Sequence, residues 1–141
     1  MSQIQFFSED TSFTLDHKDS ISAWIQQSVI NERFQLVSLN FILCSDEYLL
    51  SINQQYLKHD YYTDIITFDN SVEQKTVEGD IFISVDRVKE NADQNSIAFP
   101  QELKRVLIHG VLHLCEYNDK TIDEKALMTE KENAYLSLTN F

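Results

Sequence analysis

The stretch LIHGVLHLCEYND, Leu107 to Asp119, sets two of the chain's four histidines, His109 and His113, four residues apart in an apolar run. Upstream, Pro100 stands where a first helical turn accepts it, and Leu103, Val106, Leu107, Val111 and Leu114 recur at helical spacing. The spacing predicts one long amphipathic helix through FPQELKRVLIHGVLHLCEY. On such a helix residues i and i+4 share a side, so both imidazoles can reach one metal ion. The competing reading is two ordinary histidines at a helix margin, each needing a hydrogen-bond partner for its N–H. Zincin proteases place a glutamate base directly after the first histidine. Here that position is Gly110, which excludes that mechanism. A mid-helix glycine costs about 1 kcal/mol relative to alanine. Room for a ligand beside the metal and tight helix packing are the two returns that offset it. The polar CEYNDK predicts the end of the helix, with Asn118 as the residue that tolerates a left-handed turn. Asp119 then has two readings. It completes a His2Asp set suited to zinc with a fourth position open, or it is a solvated loop residue or a cap for the next helix.

Outward from this helix, the pattern reads β-α-β-α-β-β-α-α-α. IQFFSED is a short strand. In the helix that follows, Ile21, Trp24, Ile25, Ile30 and Phe34 form the apolar stripe, with Asp19 or Ser20 as its cap. In LVSLNFILCS the set Val37, Leu39, Phe41, Leu43 is wholly apolar and predicts a strand with one buried face. Ser45 opens a helix lined inwardly by Leu49, Ile52 and Tyr56. Strands follow at Ile65–Phe68 and just after Gly79, then a helix in SVDRVKENADQNS. A closing helix places Ala126, Leu127, Ala134 and Leu138 inward. The adjacent ITF and DIFIS strands argue against strict βα alternation. The expected fold is α+β in a single domain, 1–141: one mixed β-sheet of about four strands covered by helices, with a zincin-like metal helix.

The 141 residues carry a formal net charge of −12, which argues against a generic nucleic-acid coat protein. A nucleic-acid enzyme remains compatible, because a bound divalent ion supplies positive charge locally. Cys44 and Cys115 are too few for a disulfide framework and read as buried thiols in a reducing compartment. The opening MSQIQFFSEDTSF lacks a secretory pattern, and no apolar run reaches the roughly 20 residues that span a bilayer. A cytoplasmic protein with no membrane partner is expected.

HGVLHLCEYND resembles the signature of the YbeY endoribonucleases, H-G-x-L-H-L-x-G-Y-D-H. INQQYLKHDYYTDIITF, residues 52–68, is similar to that family's L-N-x-x-Y-R-x-K-D-x-x-T-D-V-L-S-F, and GDIFIS, residues 79–84, to G-D-I-x-I-S. The three occur in the same order and spacing, Met128 agrees in the final helix, and the likeness covers roughly residues 45 to 135. The resemblance implies a metal-dependent endoribonuclease specific for single-stranded RNA. It would act in ribosomal RNA maturation, notably at the 3′ end of small-subunit rRNA, and in ribosome quality control. It also implies a zinc-like ion on His109, His113 and Asp119, which doubles as the catalytic set. Asp119 replaces the family's third histidine, Glu116 its glycine, Asn118 its aspartate and Leu57 its arginine. Lys58 or His59 is the expected substitute for that arginine in meeting RNA phosphate.

A metal with an open position lowers the pKa of bound water toward about 7 and polarises a phosphoryl oxygen, which is what phosphodiester hydrolysis requires. Thr63, Asp64, Asp80 and Ser84 read as structural side chains, and Cys115 as packing. Two other classes stay open. One is a non-catalytic ribosome-assembly factor with a structural metal, docking on a ribosomal protein or GTPase partner. The other is a metal hydrolase of other substrates.

Overall fold

A computed structural model describes residues 3–141. Nine elements follow one another: β1 (Ile4–Glu9), α1 (Lys18–Asn31), β2 (Gln35–Cys44), α2 (Asp46–Leu57), β3 (Ile65–Asp69), β4 (Thr76–Ser84), α3 (Val85–Gln94), α4 (Phe99–Leu114) and α5 (Ile122–Leu136). The strands form one mixed sheet in the order β1-β2-β4-β3. β1, β2 and β4 run parallel, and β3 closes the edge antiparallel to β4. The fold is the α+β architecture expected, with no helix among the described residues long and apolar enough to cross a membrane.

Strand alternation sorts the sheet into two faces. Leu39, Phe41, Leu43, Val77, Ile81 and Ile83 point to the main core, where α1, α4 and α5 contribute Trp24, Ile25, Leu107, Val111 and Met128. Ile66 and Phe68 of β3 and Phe82 of β4 face the other way, onto Leu49 and Ile52 of α2. α4 packs on β3 and β4, so its exposed margin lies beside the antiparallel edge of the sheet. Burial of Leu103, Val106, Leu107, Val111 and Leu114 matches the stripe read from the sequence.

Four details differ from the sequence reading. β2 carries an irregularity between Leu36 and Ser38, which flips its phase: Leu36 is buried and Val37 is exposed. α1 starts behind His17, which is left-handed at φ 60° and offers no side-chain cap, so neither Asp19 nor Ser20 caps it; Ile30 faces solvent while Ser28 is buried. Tyr56 of α2 is exposed, and Asn53 is buried in the inner stripe instead. On α5 the inward residues are Met128, Glu132 and Tyr135, while Ala126, Leu127 and Ala134 are exposed, as is Leu138 beyond the helix end. Each of the buried polar groups has partners that hydropathy alone does not register: Ser28 donates to the Trp24 carbonyl, and Glu132 and Tyr135 bind groups described below.

Both glycines are sites of close approach. A Cβ on Gly79 of β4 would lie 2.3 Å from the Phe68 carbonyl oxygen across the antiparallel pair. A Cβ on Gly110 would lie 2.9–3.1 Å from the side chains of Ile65 and Ile81. Gly110 therefore lets α4 settle onto the sheet, and of its two readings tight packing is the one observed. Gly79→Ala is expected to lower the unfolding free energy by at least about 2 kcal/mol, because a backbone oxygen must move. Gly110→Ala meets only side-chain ends and gains about 1 kcal/mol of helix propensity, so it should lose clearly less. Urea denaturation of both variants measures the difference, and equal losses would contradict this account.

Candidate metal centre

The site is built where α4 stops. Cys115 is its C-cap, and Glu116 adopts the left-handed conformation at φ 75°. The Glu116 N–H donates to the His113 carbonyl at 3.0 Å and the Tyr117 N–H to the Leu112 carbonyl at 3.1 Å. This is the Schellman pattern of hydrogen bonds, which turns the chain back over the helix end. The left-handed residue is thus Glu116, not Asn118. It stands where the resembling motif has glycine, the residue that pays no steric cost there.

The reversal brings two groups back onto the histidines. The Tyr117 carbonyl accepts from His113 Nδ1 at 2.9 Å. Asp119 Oδ2 lies 3.3 Å from His109 Nε2 and 3.4 Å from His113 Nε2. On the other side, Glu132 of α5 accepts from His109 Nδ1 at 2.6 Å. A carbonyl and a carboxylate only accept, so each Nδ1 carries a proton, and in the neutral ring that leaves the Nε2 lone pair free for an ion. The two Nε2 atoms stand 3.0 Å apart. Three potential ligand atoms thus converge at 3.0–3.4 Å, an arrangement that a shared proton or a metal cation between them stabilises. A tetrahedral ion with bonds of about 2.0–2.1 Å has ligand-to-ligand edges of about 3.3 Å. His109, His113 and Asp119 therefore fit a metal ion. The side chains of the three are 22%, 25% and 39% exposed, so the group opens to solvent on the Asp119 side.

The surroundings hold the rings still and keep the site negative. Arg105, one turn before His109, donates to Glu132 Oε1 at 2.8 Å and to Asn133 Oδ1 at 2.8 Å. Burial opposes the charge of Glu132, yet the hydrogen bonds and charges of His109 and Arg105 outweigh it and lower its pKa. Burial likewise opposes protonation of His109, but the hydrogen bond and charge of Glu132, then Asp119 and Asp64, leave its pKa raised. Beside His109 a recess of about 180 Å³ is lined by Asp64, Glu102, Arg105, Val106 and Glu132. Burial pushes the Glu102 carboxyl up, with Arg105 pulling against it and Asp64 and Glu132 adding to it.

Glu32, just past α1, buttresses the turn from behind. Its carboxylate accepts from Tyr117 OH at 2.6 Å, from Tyr135 OH and from Lys131 at 3.4 Å. Burial disfavours the Glu32 anion, but the two phenols and Lys131 reverse the balance and lower its pKa. The Cys115 thiol is buried, is pushed up to about 12 by burial and then by Glu32 and Glu116, and lies outside the three-residue group.

The other residues singled out in the sequence have separate places. Ser84 caps α3 and donates to Asp46, and Asp80 accepts from Asn40 and Asn70 on the strand face. Asp64 gives its carbonyl to the Ser84 N–H and lines the recess. Lys58 and His59 stand exposed on the loop between α2 and β3, outside the three-residue group. Glu132, Arg105 and Glu32 were not read from the sequence. The signal available for Glu132 was its position four residues after Met128, on the same side of α5.

A family model for endoribonuclease YbeY matches residues 3–140. The chain belongs to the YbeY family. A protein of Cytophaga hutchinsonii named Endoribonuclease YbeY is 52% identical over 98% of this chain and 96% of its own length. One of the same name from Christiangramia forsetii is 47% identical over 96% and 94%. The solution structure of TM1509 from Thermotoga maritima shares the fold with a TM-score of 0.69 and 28% identity, covering 95% of this chain and 87% of that one.

Glu132→Gln is expected to weaken binding of an added divalent ion, with zinc as the probe, about 10- to 100-fold while the protein stays folded, since a carboxylate partner both orients the imidazole and raises its basicity. Competition with a fluorescent chelator, alongside circular dichroism, reads both quantities. The Glu32 anion predicts acid sensitivity. Its folded pKa lies below the ordinary 4.5, so its stabilisation is present above about pH 4.5 and is lost as pH falls through the folded value. Glu32→Gln should be less stable at neutral pH and show a flatter stability curve below pH 4.5. A variant curve parallel to the wild type would disprove the buttress.

Proposed function

We propose that this chain is a zinc-dependent endoribonuclease that cuts single-stranded RNA, with the 3′ region of small-subunit ribosomal RNA as its substrate. The observation that supports this most is the convergence of His109 Nε2, His113 Nε2 and Asp119 Oδ2 within 3.4 Å, open to solvent on one side. Family membership supplies the reaction class, as the relatives above are named endoribonucleases. The ion held there would supply a Lewis acid that acidifies water and polarises a phosphoryl oxygen.

The chain's own residues do the positioning. Glu132 and the Tyr117 carbonyl keep the two Nδ1 protons outward, so both Nε2 lone pairs stay available. Arg105 keeps Glu132 ionised. Asp119 adds a negative ligand and leaves one side open for an RNA phosphate. Lys58 and His59 meet neighbouring phosphates from the exposed loop, in place of the arginine that is Leu57 here.

His113→Ala is expected to abolish cleavage of an unstructured RNA and to drop zinc below about one equivalent per chain by elemental analysis. Undiminished cleavage by a verified metal-free preparation would refute the mechanism. Full zinc content without cleavage in the wild type would favour a structural metal in an assembly factor.

A further inference from the structure

The loop joining α2 to β3 presents an aromatic surface that the metal centre does not use. Tyr61 is 55% exposed, and its ring lies nearly parallel to that of His59, with centroids 5.1 Å apart and planes 21° apart. The Tyr61 hydroxyl also bonds His59 Nδ1 at 2.9 Å. Tyr56 is 60% exposed and rests edge-on against Phe68 at 6.0 Å. This loop is fastened. Asn53, 1% exposed, donates from Nδ2 to the Tyr61 carbonyl at 2.9 Å, and its own carbonyl accepts from the His59 N–H at 3.1 Å. Gln54 Nε2 donates to Asp60 at 2.6 Å. A buried amide committed to holding an exposed tyrosine is a pre-organised arrangement, for which entropy has been lost before any partner arrives. The same loop runs directly into Asp64, which lines the recess beside His109.

We infer that Tyr61, backed by His59, is a stacking platform for the bases of single-stranded RNA. The inference rests on the endoribonuclease reading and names how that substrate is held. Charge decides the occupant. Lysines and arginines number 11 against 23 aspartates and glutamates, so release of counterions from phosphate cannot provide much affinity. Base–aromatic stacking needs no net charge and tolerates any sequence. Lys58 and Asp60 place charged groups on either side of His59 in this stretch, which suits stacking on a single ring face better than burial under an apolar partner.

The test uses zinc-loaded protein with oligo(A) and oligo(U) of about twelve nucleotides. Tyr61→Trp places an exposed indole on the platform, while the native Trp24 is buried and its signal is subtracted with the wild type. Oligo(A) is expected to quench that indole more than oligo(U), with affinity falling less than about tenfold between about 50 and 200 mM salt. Tyr61→Ala should lower kcat/KM on oligo(A) by about 5- to 100-fold and abolish the oligo(A) preference, and Tyr61→Phe should restore both. Absence of quenching, an unchanged kcat/KM in Tyr61→Ala, or a steep salt dependence would overturn the platform while leaving the nuclease reading intact. If the wild type cleaves no RNA, the nuclease reading fails, and quenching alone then decides the platform.

Discussion

The hydrogen-bonded reversal at the end of α4 is the constraint on which the site depends. Two backbone bonds, from Glu116 and Tyr117 back to His113 and Leu112, fix the direction of the chain after the helix. That direction delivers the Tyr117 carbonyl to one ring and Asp119 to both. Placing Glu116 in the left-handed region costs on the order of 1 kcal/mol, which a glycine would not. The cost is offset by tertiary structure. Glu32, at the far end of α1, grips the Tyr117 hydroxyl, and Tyr135 joins from α5. Trp24 in turn donates to the Tyr135 carbonyl at 2.9 Å. The His109–His113–Asp119 group is therefore local in its members and global in its support.

Much of this was legible in the residues, for identifiable reasons. α4 was clear because its apolar period is unbroken over four turns and its histidines share one face. The order of elements followed from alternation, turns and caps, Ser45 among them, which does accept from the Tyr48 N–H. What escaped the reading were positions where a polar group is buried against a partner distant in sequence. α5 hides Glu132 and Tyr135 and exposes Leu127, so a hydropathy stripe points to the wrong side. Asn53 displaces Tyr56 from the inner face of α2 by binding the following loop. The irregularity in β2 reverses Val37 and Leu36, and period-two reasoning has no means of anticipating an extra residue. Asn118 was favoured for the turn by residue type, whereas the hydrogen-bond geometry requires the left-handed residue two places after Leu114.

The anionic balance of the site bears on both its metal and its substrate. Asp64, Glu102, Asp119 and Glu132 surround His109, against the single guanidinium of Arg105. Such a cluster stabilises a bound cation and repels an incoming phosphate, so the two demands of a nuclease oppose each other. With Asp119 as the third ligand the conflict would sharpen: a carboxylate lowers the net charge of a divalent centre by one and moderates its Lewis acidity. Attraction of RNA must then come from interactions that do not scale with net charge. The aromatic loop before β3 meets that requirement, because its ring faces are held open by a buried asparagine and sit on the segment leading to Asp64. Where the resembling motif places an arginine, this chain has Leu57, and the ring of Tyr61 four residues later adds to Lys58 a means of holding a single strand that an acidic surface does not oppose.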